Sequence, residues 1–314
     1  MRRMKNIWKK KRSPALLGIT ISNGSVKAIE LTKKSGKFLV TSCAKSFYES
    51  ENDFHHALQH VLDEIDGHGK QVAIALPDSL VMLQKISLDM ALSEAEIFMC
   101  VQDEASKYFN VPAGELFLDV AILENSHKDV SSLLLNASSG TLAKDYQKQE
   151  VVWAAAKKEE VAARMQPFIT LGLKISIVDV VSLTLQRVYS LEPTALNKTV
   201  GIAHFDGQAL LFIILKNLES IYITVQPYIY PFDACKTLKQ ALTLFYASSQ
   251  RDVPSVVFVS SDGFCLDDIQ KDIQIQIANV ELSSFKNLQE ICTVKKYSPS
   301  EFLLNLGLAM RTND

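Results

Sequence analysis

Two stretches of the chain carry residue types suited to holding phosphate: Gly18-Ile19-Thr20-Ile21-Ser22-Asn23-Gly24 and Gly201-Ile202-Ala203-His204-Phe205-Asp206-Gly207. Each reads as a strand and a turn leading into another apolar strand. A glycine in such a turn lets backbone N–H groups approach a phosphate, and an acid beside it can orient metal-bound water. At the gripping positions, however, both copies carry the wrong residue types. Asn23-Gly24 and Asp206-Gly207 also read as ordinary tight turns, which explains them without a ligand.

Other reactive groupings are weaker. His55, His56 and His60 crowd one predicted helix, and His56 and His60 share a face, but no third metal ligand is evident. His204 has no serine elbow or cysteine partner and reads as a structural histidine. Glu94, Glu96, Asp103 and Glu104 resemble paired acids but fall on the solvated face of a helix. Five cysteines, Cys43, Cys100, Cys235, Cys265 and Cys292, lie far apart with no ligand spacing and read as reduced core residues.

The elements that must position these residues fit a globular protein of 314 residues, 47% hydrophobic and 22% charged, long enough for two domain-sized cores. A net charge of −2 gives no reason to expect nucleic acid. No apolar run nears the roughly 20 residues of a membrane-spanning helix, so a soluble, cytosolic protein is expected. Arg2, Arg3, Lys5, Lys9, Lys10, Lys11 and Arg12 surround Trp8 at the N-terminus. That cluster reads either as a solvated, disordered tail over residues 1–14 or as a contact with an anionic membrane surface.

From Leu16 the chain alternates strands and helices. A hairpin turned at Asn23-Gly24 is joined by a strand near Phe38–Cys43. A helix carrying Phe54, Ala57, Leu58, Val61, Leu62 and Ile65 precedes a buried strand at Val72–Leu76. Ser93 and Glu96 form a capping box for a helix running to Phe109, closed by Pro112 and Gly114. A strand at Leu116–Leu123 leads into a polar stretch, 125–149, read as a long variable loop. Strands at Val151–Ala156 and Ile175–Val180 flank another helix, and a short helix spans Ser182–Tyr189. The second half restarts at Val200, with a strand at Ile221–Val225, a helix over Leu238–Tyr246, a strand at Val256–Val259 and a final helix at Phe302–Met310.

A duplication in which each copy is a β meander followed by helices is the plan of the actin and sugar-kinase fold, an α/β, ribonuclease H-like arrangement of two lobes. The segments GITISNGSVKAIEL, ALPDSLVMLQKI, DEASKYFNVP, VVWAAAKKEEV, GLKISIVDVVSLTL and NLGLAMR occur in order over most of the chain, and together they resemble the PilM family. These are actin-like cytoplasmic components of type IV pilus assembly, related to the cell-division protein FtsA. The resemblance implies a first lobe over 15–83 and 166–195, an inserted subdomain over 84–165, and a second lobe over 196–314. The family's helical subdomain, one wall of the adenine pocket, is reduced or missing there.

The same resemblance locates the departures. The family's first loop carries an acid where this chain has Thr20 and a glycine where it has Ser22, leaving Asn23, Gly24 and Ser25 as phosphate donors. In the second loop the acid falls on Ala203 or His204 and the glycine on Phe205 or Asp206, depending on register. In the later register Asp206 would aim a carboxylate at the phosphate site. The joining segment keeps Asp179 but has Val181 for its second acid, and the adenosine-side glycine pair has become Ser260-Ser261. A non-catalytic pseudo-ATPase without cofactor is the expected outcome. The alternative is a divergent ATPase using ATP and magnesium through Asn23, Ser25 and Gln208, and an FtsA-like filament anchor ranks third. The resemblance further implies a groove, marked here by Ile97, Val101, Glu104, Tyr108 and Pro112, for the N-terminal peptide of a PilN-like single-pass inner-membrane protein. Other pilus platform components are further partners it implies, and the protein would sit in the cytoplasm, peripheral to the inner membrane.

Overall fold

The computed structural model describes residues 16–22, 24–34, 36–123, 148–206, 209–228, 233–248, 253–261, 275–279, 288–290 and 299–311. They fall into two compact units, one holding residues up to Leu76 and from Gln166 onward, the other Pro77–Met165.

In the larger unit, β1 (Leu16–Ser22), β2 (Ser25–Lys34) and β3 (Lys37–Phe47) form an antiparallel meander. Next, α1 (Glu51–Glu64) is started by Ser50, whose hydroxyl accepts from the Asp53 amide, and leads to β4 (Gln71–Leu76), which pairs parallel with β1. Beyond β4 lies β8 (Lys174–Val180), also parallel. The second half repeats the plan. Antiparallel β9 (Thr199–Phe205), β10 (Ala209–Lys216) and β11 (Glu219–Pro227) are followed by β12 (Val256–Ser261) parallel to β9 and β13 (Gln276–Asn279) parallel to β12. The two sheets run β3-β2-β1-β4-β8 and β11-β10-β9-β12-β13, with β14 (Leu288–Glu290) added parallel to β3 at the edge of the first. The same order twice is the duplication anticipated from the paired turns.

Helices cover these sheets, with α1 lying against β2 and β3. The main core joins Ile29, Leu31 and Val40 of the first sheet to Ile202, Leu211 and Ile213 of the second, through α4 (Val181–Tyr189) and the C-terminal α6 (Leu303–Ala309). Burial of these aliphatic side chains at about 25 cal/mol per Å² is the dominant favourable term. The other face of the second sheet packs on α5 (Ala234–Ser248), whose Leu238, Ala241, Leu242 and Phe245 form one stripe. Among the described residues, α5 is the helix between β11 and β12.

The C-terminal helix departs from expectation. Sequence order assigns it to the second lobe, yet Gly18 of β1 lies directly beneath it: a Cβ there would stand 2.0 Å from the Asn305 backbone oxygen. Only glycine permits that approach. α6 also meets α4 through Gly307, where a Cβ would lie 2.5 Å from the Thr184 backbone oxygen.

The smaller unit is a three-stranded antiparallel sheet, ordered β5 (Met82–Asp89), β7 (Lys148–Lys157), β6 (Leu116–Leu123), with α2 (Glu94–Phe109) on one face; α3 (Lys158–Thr170) follows β7. Strand β5 was not anticipated, so this unit begins at Pro77 rather than residue 84. The Ser93–Glu96 capping box forms as read, and its hydrogen bonds to Glu96 hold that carboxyl below the usual range. Asn110, left-handed at φ 52°, closes the helix ahead of Pro112. Most of the expected 125–149 loop lies outside the described residues. Its end belongs to β7, where buried Gln149 donates to the Asp89 carbonyl at 2.9 Å.

Candidate functional site

The first hairpin turns in two residues between the pair Ser22 and Ser25, with Gly24 at φ 77°. Asn23 lies outside the described residues. The Ser22 and Ser25 hydroxyls bond each other at 2.8 Å, and Ser25 is buried. Tyr48 pins the turn twice: its amide donates to the Gly24 carbonyl at 3.0 Å and its hydroxyl to the Ser22 carbonyl at 2.9 Å. Thr20, where the acid would stand, donates to Asn305 Oδ1 at 3.1 Å. Among the described residues, the Ser25 hydroxyl expected to be a phosphate donor and the hydroxyls of its neighbours Thr20 and Ser22 are thus bonded within the chain.

The faces of the two sheets settle the register of the second hairpin. Thr20 is on the face of β1 that, through Gly18 opposite Ile29, looks into the main core. On β9 the equivalent face carries Val200, Ile202 and then His204, whereas Ala203 and Phe205 face α5. His204 therefore matches Thr20, and Asp206 matches Ser22. His204 Nδ1 lies 3.1 Å from Ser260 Oγ on β12, so one contact joins the two residues that the family resemblance singles out on β9 and β12. Ser260 is buried, and Ser261 ends the same strand. Asp206, expected in this register to aim a carboxylate at the phosphate site, is exposed. It accepts from the Ala209 amide at 2.8 Å while its own amide donates to the Ala209 carbonyl at 3.2 Å, which closes the turn. Gly207 lies outside the described residues.

Asp179, at the end of β8, is buried and clamped by two arginines. Arg187 of α4 approaches at 2.9 Å and Arg311, just past α6, at 3.0 Å, while Oδ1 also accepts from the Val180 amide. Arg187 in addition donates to the Gly307 carbonyl at 2.9 Å. The two ion pairs tie the end of β8 to α4 and to the segment after α6.

In the smaller unit the residues marked for a partner divide. Ile97 and Val101 are 1% and 0% exposed, packed with Ala105 and Trp153 in that unit's core, so they line no groove. Glu104, Tyr108 and Pro112 are exposed, Tyr108 at 64%, with its ring edge-to-face on Phe109 at 5.0 Å. Sequence reading missed Phe98 and Met99, 43% and 57% exposed on the same helix. The signal was available, because Ile97, Val101 and Ala105 make the inward stripe at i, i+4 and i+8, and residues 98 and 99 fall off it.

His55, His56 and His60 are exposed on α1. The basic N-terminal residues Arg2, Arg3, Lys5, Trp8, Lys9, Lys10, Lys11 and Arg12 lie outside the described residues. Among the described residues, no helix is long and apolar enough to cross a membrane.

A duplicated sheet of this order, bridged by α4 and α6 and carrying an inserted unit after β4, defines an actin-like protein. Among solved structures, the chain is similar to that of a PilM–PilN type IV pilus biogenesis complex, with a TM-score of 0.70 at 17% identity over 94% of this chain and 98% of that one. It is also similar to the cytoplasmic domain of EpsL, an inner-membrane component of the type II secretion system of Vibrio cholerae, with a TM-score of 0.49 at 7% identity over 93% and 94%. Residues 18–229 match the family described as type IV pilus assembly protein PilM, and the chain belongs to that family.

Proposed function

We propose that this chain is a non-catalytic adaptor of type IV pilus assembly, held at the cytoplasmic face of the inner membrane by the N-terminal peptide of a PilN-like single-pass protein. The observation that carries the reading is the internal engagement of both hairpins and of Asp179. Thr20, Ser22, Ser25, His204, Asp206 and Asp179 each have a side-chain polar atom engaged by a neighbour in the chain. A nucleotide site needs such groups free to meet phosphate and metal. The likeness to the chain of a PilM–PilN complex supports the choice of partner.

The exposed residues Phe98, Met99, Glu104, Tyr108 and Pro112 are the surface we assign to the peptide. Tyr108→Ala should abolish co-purification with the cytoplasmic tail of such a protein while leaving the melting temperature of the adaptor unchanged. Unaltered capture would refute the assignment. ATP with magnesium at millimolar concentration should not shift the melting temperature. A bound ligand at a hundred times its dissociation constant would add about 2.7 kcal/mol, and a shift of that size would restore the ATPase reading.

A further inference from the structure

The polar face of the first hairpin already has an occupant. Cross-strand register sets Thr20 beside Lys27 and Lys27 beside Lys45, so one row on adjacent strands carries a hydroxyl and two ammonium groups. Lys27 is 6% exposed and the Lys45 side chain 9%. Two neighbouring ammonium groups removed from water repel each other and lose hydration, and they persist only when a counter-charge and acceptors are supplied. The C-terminal segment supplies both. The Glu301 carboxylate meets Lys45 Nζ at 2.5 Å, and the Glu301 carbonyl accepts from Lys27 Nζ at 3.3 Å. One turn on, fully buried Asn305 donates to the Gly18 carbonyl at 3.1 Å and the Lys27 carbonyl at 2.8 Å, while its own side-chain oxygen takes the Thr20 hydroxyl.

We infer that Glu301–Asn305 is a built-in ligand, an intramolecular latch that places a carboxylate and an amide on the lysine and threonine row and thereby fixes the first hairpin against the C-terminal helix. The chemistry is that of an anionic ligand: a carboxylate on one ammonium group, a carbonyl on the other, and a side-chain amide bonded to the Thr20 hydroxyl and to the backbone of β1 and β2. Its source is the chain itself, more than 250 residues away in sequence, as the separation of 256 between Lys45 and Glu301 shows. The latch makes the hairpin's order independent of any bound nucleotide, and it couples the C-terminus to that hairpin whatever partner the protein serves.

Hydrogen exchange on the full chain tests this. Glu301→Gln keeps the shape of the side chain and removes its charge; Asn305→Ala removes the bridge. Amides of Gly18–Lys27 and of Leu303–Ala309 should exchange about tenfold faster in both variants and by the same factor, while Pro77–Met165 is unchanged. Glu150→Gln, which breaks the exposed Lys85–Glu150 pair of the smaller unit, is the control and should leave the hairpin as it was. If Asn305→Ala does not fold, Glu301→Gln decides alone. Hairpin protection equal to that of the unaltered chain in Glu301→Gln would overturn the latch, as would loosening of the helix without the hairpin.

Discussion

The two hairpins share topology and position in their sheets but not the source of their order. The second is closed within its own sheet: Asp206 bonds Ala209 three residues on, and His204 meets Ser260 on the strand paired with it. The first has a local Ser22–Ser25 bond too, but it is also held from outside its sheet, by Tyr48 after the meander and by Asn305 and Glu301 at the other end of the chain. A duplicated frame thus admits two ways of ordering a hairpin, and the difference follows from what lies over each. α6 crosses the first sheet because Gly18 and Gly307 let backbone approach backbone. Gly201 of β9 instead meets the Val257 side chain on the paired strand.

The sharpest way to break this contrast is to deny the first hairpin its helix. Gly18→Ala should cost about 3 kcal/mol or more in urea unfolding, because its Cβ would displace backbone rather than a flexible side chain. A smaller loss is expected for Asp179→Ala, about 2 to 3 kcal/mol. Breaking a fully buried pair costs more, but Arg187 and Arg311 are 27% and 40% exposed and water takes up part of the charge. Thr20→Val and His204→Ala should each cost about 1 kcal/mol, the net worth of one hydrogen bond. Thr20→Val alone should loosen α6 in hydrogen exchange; equal loosening by His204→Ala would erase the distinction between the hairpins.

The smallest effect concerns the back of the first sheet. Burial raises the Glu30 carboxyl, but hydrogen bonds from Lys70 and Thr41, the charge of Lys70 and a further bond from Ser42 outweigh it and hold the group below its ordinary value. A depressed folded-state value means that the stabilisation is present above the unfolded carboxyl's pKa, about 4.3, and is lost as pH falls through the folded one. The melting temperatures of Glu30→Gln and the unaltered chain should therefore differ at neutral pH and draw together as pH falls below the ordinary carboxylate range. A constant gap would exclude this linkage.

Much of the frame was readable from residue order. Asn23-Gly24, the Ser93–Glu96 box and the aliphatic runs at Val72–Leu76 and Val256–Val259 are local signals that need no distant partner, and the elements form where they stand. Strand β5 escaped because Met82-Leu83-Gln84-Lys85 breaks the apolar–polar alternation that only Ile86–Asp89 shows, and the segment becomes a strand by pairing with β7. The groove assignment erred at Ile97 and Val101 because an apolar residue on a helix serves core or partner alike until the sheet beneath it is placed.

Sequence alone therefore determined the duplicated hairpins, the altered residues within them and the family to which their order points, since each is a matter of residue type and local spacing. Only the tertiary structure decided that His204 rather than Ala203 is the counterpart of Thr20, because that turns on which face of β9 meets the main core. It alone revealed that Glu301 and Asn305 occupy the first hairpin. Contacts between groups 274 and 285 residues apart leave no trace in local pattern, and they exist because two glycines let a C-terminal helix settle onto the first sheet.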